Sequence, residues 1–166
     1  MNALGDARVA EYLNDNFVCT YLKVGTFQII GGQKVGGNVA SYFCLADSSV
    51  MHAIPGQVNA NKLLSEARWA YEVRKSALTF STDFETGKPD MRKYVERVKN
   101  AHVERFGAEG GNKISLPSML PRHVTQQGQT HWLLAKTPLP RLETVYPTVW
   151  TQVLNEKLSA LPVAQR

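Results

Sequence analysis

Tyr42-Phe43-Cys44-Leu45-Ala46-Asp47-Ser48-Ser49-Val50-Met51-His52-Ala53-Ile54-Pro55-Gly56 decides how this chain is read. Two apolar, β-forming runs flank the polar triplet Asp47-Ser48-Ser49, and Pro55-Gly56 closes the second run. That pattern predicts a hairpin, with one strand over residues 39–46 and the other over 50–54. Directly after it, Leu63, Leu64, Ala67, Ala70 and Tyr71 recur at helical spacing. A helix is therefore expected from Ala60 to Lys75, with Asn59 as its cap.

Upstream of the hairpin, Asp6 can cap a short helix over residues 7–13, which Asn14-Asp15-Asn16 ends. Phe17 to Val24 is almost continuously apolar and predicts a strand covered on both faces. Residues 25–38 hold five glycines (Gly25, Gly31, Gly32, Gly36, Gly37) and are expected to form a loop. Connections of that length are uncommon in compact domains unless they carry a function.

Downstream, Ser81–Pro89 is a polar break, and Pro89 suits the first turn of another helix. Met91, Tyr94, Val95, Val98, His102 and Phe106 form its apolar stripe, and Gly107–Gly111 end it. Five prolines make 112–147 an expected irregular wrap, with one strand-like patch at His131–Ala135. A last helix is expected over about Thr148–Leu158, with Trp150, Val153, Leu154 and Leu158 available for docking.

The order helix, strand, loop, hairpin, helix over residues 6–76 resembles the second half of a thioredoxin-like fold. Arg8-Val9-Ala10-Glu11-Tyr12-Leu13-Asn14-Asp15-Asn16-Phe17-Val18 is similar to that family's passage from active-site helix to strand. Tyr42 to Gly56 is similar to its hairpin. The resemblance implies a partial thioredoxin-like α/β sandwich at 1–80, with a helical and irregular C-terminal extension at 81–166 packing on it. The chain departs from the family where the chemistry lies. No C-x-x-C occurs, too few residues precede Val9 for the family's first strand, and Gly37-Asn38-Val39 stands where the family has a proline. The absent strand lies at the centre of the family's sheet. Either the two neighbouring strands pair directly, or a tail segment such as His131–Ala135 fills the gap, or the chain is a fragment of a longer protein.

A reactive thiolate needs a helix N-terminus or a cationic neighbour and a resolving thiol beside it. Cys19 and Cys44 have neither in sequence and read first as small buried hydrophobes. If their strands are neighbours they become a redox pair, provided their Cα atoms lie within ~7 Å. Gly31-Gly32-Gln33-Lys34-Val35-Gly36-Gly37-Asn38 is not a phosphate loop: Gly37 occupies the lysine position and a strand, not a helix, follows. His52, His102, His123 and His131 show no metal-ligand spacing, and there is no G-x-S-x-G elbow, so no catalytic residue and no metal or other cofactor is expected.

With 166 residues, 43% hydrophobic and 20% charged, the composition is that of a globular protein. The net charge of +5 is mild. The mixed charges of residues 89–106 read as a solvated helix face, so no nucleic-acid partner is expected. No run approaches the ~20 apolar residues of a membrane span. The N-terminus lacks the pattern of a signal peptide, which implies a cytoplasmic protein if Met1 is the true start. The expectation from sequence is a non-catalytic thioredoxin-like module that binds a protein or peptide through Phe27, Gln33, Lys34 and Asn38. The alternative is a redox-responsive or divergent thiol–disulfide protein using Cys19 and Cys44, or a fragment of a longer thioredoxin-like enzyme.

Overall fold

The computed structural model describes residues 3–22, 24 and 27–158. It is a mixed α/β structure: α1 (Ala7–Asn16), β1 (Phe27–Ile30), β2 (Gln33–Gly36), β3 (Ala40–Cys44), β4 (Val50–Pro55), α2 (Ala60–Ser81), α3 (Met91–Ala108), α4 (Gln126–Lys136) and α5 (Leu142–Thr148). The chain runs from α5 into a π-helical turn, Val149–Val153. Among the described residues, no helix is long and apolar enough to cross a membrane.

The hairpin forms as its sequence predicts. β3 and β4 pair antiparallel, with Phe43 opposite His52 and a register shift between Phe43 and Cys44. Asp47 accepts the Ser49 N–H at 3.0 Å, and Ser48 adopts φ 67° to complete the turn. All six residues of β4 are buried. The reason is that helices cover both of its faces. On one side Ile54 packs with Leu63, Leu64 and Ala67 of α2. On the other, Val50 and Ala53 pack with Leu134 of α4 and with Val145, Val149 and Trp150.

Each long helix is started by a side-chain cap. Asn59 accepts the Lys62 N–H, Asp90 accepts those of Arg92 and Lys93, and Thr125 accepts that of Gly128. Most of the α3 stripe is buried: Tyr94, Val98, His102 and Phe106, one turn apart, are enclosed, whereas Val95 is half-buried and Met91 is exposed. Because α4 carries the most deeply buried polar side chains, its cap has structural weight. Thr125→Val is expected to cost about 1 kcal/mol in urea unfolding.

Four expectations are corrected. Residues 17–22 and 24 are not a strand; they pair with no strand among the described residues, and Val18 is fully exposed while Phe17 turns in to pack at 5.4 Å on Phe43. An apolar run becomes a buried strand only when a sheet neighbour and covering helices exist for it. The glycine-rich segment is not a plain loop: β1 and β2 pair across Gly31-Gly32, whose φ values of 59° and 78° suit a two-residue hairpin turn. His131–Ala135 lies in α4, so it fills no gap in a sheet, and residues 112–147 contain two helices rather than irregular chain alone. The final expected helix begins earlier, at Leu142. The described strands make two separate two-stranded sheets.

Candidate functional site: a buried histidine cluster

Three of the four histidines converge. His52 comes from β4, His102 from the fourth turn of α3, and His131 from the middle of α4. All three are 0% exposed, and one ring nitrogen from each lies within 4.8 Å of the others. His123 is exposed and apart. Trp69 of α2 stands edge-on to the three rings at 4.7, 5.2 and 5.4 Å, and Phe43 stacks on His52 at 5.8 Å.

Hydrogen-bond partners fix which nitrogen carries each proton. Glu66 accepts from His52 Nε2–H at 2.8 Å, which leaves His52 Nδ1 as a lone pair. That atom is buried and has no hydrogen-bond partner. The Met51 carbonyl can only accept, so His102 donates to it from Nε2–H at 2.9 Å and carries its lone pair on Nδ1. His131 Nδ1 lies 2.9 Å from that lone pair and must therefore be the donor. His131 Nε2 is then an acceptor, and Gln127 Nε2 approaches it at 3.3 Å. The same Gln127 amide nitrogen donates to the Ala53 carbonyl at 3.0 Å, which fixes the amide's orientation.

Charge is concentrated at Glu66, itself fully buried. Lys62 Nζ sits 2.8 Å from its Oε1, and Arg105 Nη1 at 3.6 Å. The Arg105 guanidinium also lies over the Trp69 ring at 4.9 Å. Burial alone would raise the Glu66 carboxyl, but the His52 N–H and the Lys62 ammonium outweigh it and hold it down to about 2. Burial, with the neighbouring His52, brings His102 down to about 3. Burial also lowers His131 and, against the pull of Glu66, His52. The imidazoles are neutral at physiological pH, which is the form that binds metal.

The residues singled out by sequence lie elsewhere. Cys19 and Cys44 are both free thiols and both exposed, so neither is the small buried hydrophobe expected from the sequence. Cys19 is outside any strand, so the premise that the two face each other on adjacent strands does not hold. Cys44 ends β3 and lines a cavity of about 380 Å³ with Phe17, Phe43, Tyr71 and Arg74; burial and then Asp47 raise its thiol pKa. Gln33 is exposed on β2, and the Asn38 N–H donates to Glu156 at 3.3 Å. Phe27 and Lys34 are paired in the β1–β2 backbone, and their side chains lie outside the described residues.

Sequence spacing could not reveal the cluster, because its members come from three separate elements. One signal was present: His102 sits on the apolar stripe of α3, and Glu66 interrupts the Leu63–Ala70 face of α2. Polar groups on a buried face must find partners. Comparison of the chain with protein families, with curated proteins and with solved structures gives no match.

Proposed function

We propose that this protein is a metal-binding module that holds one transition-metal ion on His52, His102 and His131. The observation that carries the reading is the convergence of three fully buried imidazoles, one of which has an unpartnered ring nitrogen. An orphaned buried lone pair is costly unless something occupies it. Imidazole donors suit zinc, copper, nickel and iron. The surroundings match what a metal site requires: Glu66 backs His52, and the Met51 carbonyl backs His102, each accepting the proton of the nitrogen opposite the ligand atom.

The geometry is close to what an ion needs. Tetrahedral zinc with bonds of ~2.0 Å places its ligand nitrogens about 3.3 Å apart. The His102–His131 pair at 2.9 Å would open slightly, and His52 would be drawn in. Three protein ligands leave one coordination position for a fourth donor. Because the cluster is enclosed by core residues, the ion's role in this reading is to bind β4, α3 and α4 together, so that metal binding adds to folding stability. What remains of the thioredoxin-like resemblance in this reading is the order of α1, the β3–β4 hairpin and α2, without the strand expected over Phe17–Val24 and without thiol chemistry.

The test is to strip the protein with chelator and titrate it with zinc(II), cobalt(II) and copper. One equivalent is expected to bind, to change Trp69 fluorescence and to raise the melting temperature. At 100 times the dissociation constant the stabilisation should be about 2.7 kcal/mol. Trp69→Phe should lose the fluorescence change but keep the thermal shift. If none of these ions shifts the melting temperature, and the purified protein carries far less than one metal per chain, the reading fails.

A further inference from the structure

The hydrogen bonds around the cluster form one connected chain whose two ends lie on β4 and whose donors run outwards from Gln127. Gln127 donates to the Ala53 carbonyl and to His131 Nε2, His131 Nδ1–H donates to His102 Nδ1, and His102 Nε2–H donates to the Met51 carbonyl. Both ends are backbone carbonyls, which have no proton to give. The two carbonyls therefore fix the proton on each ring between them, and the facing nitrogen of His131 carries a proton where an ion would need a lone pair. His131 and His102 are fully buried, whereas Gln127, one turn before His131 on α4, is only half-buried.

We propose that Gln127 gates the histidine cluster: its amide selects the His131 tautomer that excludes an ion, and metal binding requires that amide to release β4. The inference rests on the metal-binding reading above. When an ion takes the Nδ1 lone pair of His131, the proton leaves Nδ1 and one is placed on Nε2. The ring stays neutral, and no net proton is released. Nε2–H then needs an acceptor, and Gln127 supplies one by turning its Oε1 towards the ring. That turn withdraws the N–H donor from the Ala53 carbonyl. Occupancy of the cluster is thereby linked to the contact between α4 and β4, the strand on which the core is built.

The probe is zinc(II), with imidazole nitrogen NMR as the readout that does not depend on affinity. In the metal-free protein, His131 should be protonated at Nδ1 and His102 at Nε2; with zinc, His131 should switch to Nε2–H. Gln127→Glu supplies the acceptor in advance and should tighten zinc binding about 10- to 100-fold. Gln127→Met removes the donor without supplying an acceptor and should tighten it less. His131 found as the Nε2–H tautomer in metal-free protein that still binds zinc would overturn the gate alone. So would unchanged zinc affinity in both variants. The expected tautomers with no zinc bound by any of the three proteins would overturn the metal reading, and the gate with it.

Discussion

The metal-free protein is expected to lose stability in mild acid, by about 3 kcal/mol per pH unit or more between roughly pH 6 and pH 4. The cause is burial. His52, His102 and His131 have no exposure, and burial lowers all three, His102 to about 3. In the unfolded chain each returns to about 6.5. Above that value both states are neutral and the stability is intact. Below it the unfolded chain binds protons that the folded chain refuses: His102 and His131 each contribute about 1.4 kcal/mol per pH unit, and His52 adds to the loss in the same direction. Glu66 works in the same direction at lower pH. Its folded value near 2 means that stability present above the usual carboxylate range is lost as pH falls towards 2. Against a typical domain stability of about 5–15 kcal/mol, the loss of about 4 kcal/mol or more accumulated by pH 5 is a large fraction of the total. Circular dichroism followed during acid titration measures it. A protein that remains folded at pH 3, with no change in unfolding free energy from pH 7 to pH 5, would contradict the burial of neutral imidazoles.

Glu66→Leu is expected to destabilise the protein by about 3 kcal/mol. Three interactions end on this one buried carboxylate: the His52 hydrogen bond at 2.8 Å and the ion pairs with Lys62 and Arg105. Removing it leaves the buried His52 N–H without an acceptor, and a charged-acceptor hydrogen bond is worth about 1.5–3 kcal/mol. Lys62 and Arg105 are each about one-third exposed or more, at 40% and 32%, so water compensates part of their loss. This keeps the cost near the low end of the ~3–5 kcal/mol typical for breaking a buried pair. Glu66→Gln keeps an acceptor and should lose less. The double variant His52→Phe with Glu66→Leu should recover much of the single-variant loss, because replacing both partners by apolar groups removes the unsatisfied atom as well. It should also bind no metal with the three-histidine set. Urea unfolding of the wild-type protein, His52→Phe, Glu66→Leu and the double variant measures the coupling. Additive effects in the double variant would show that the two residues do not act as a pair.

What the sequence made legible was whatever depends on local pattern. The Asp47-Ser48-Ser49 turn, the apolar runs on each side of it and the stripe from Tyr94 to Phe106 declare themselves within a few residues. Phe17 to Val24 did not, because whether an apolar run becomes a strand depends on partners elsewhere in the chain. The short β1–β2 hairpin was hidden by its own glycines: Gly31-Gly32 supply the positive φ that its turn requires, yet as composition they read as a loop. His131-Trp132-Leu133-Leu134-Ala135 looked like a strand because a helix buried on nearly every side loses the polar face that gives helices their period. The candidate site was the least legible part. Its three ligands meet only after β4, α3 and α4 have packed, and no spacing rule spans that distance. The polar atoms on buried faces were the available clue, and they become informative only when each is asked where its hydrogen bond goes.

X-ray absorption at the zinc edge of protein loaded with one equivalent of zinc(II) reads the ligands of the ion without reference to function. Three imidazoles with nitrogen at about 2.0 Å are predicted, together with their characteristic outer-shell scattering. An oxygen-dominated shell, or fewer than three imidazoles around the ion, would contradict the assignment of His52, His102 and His131 as its ligands.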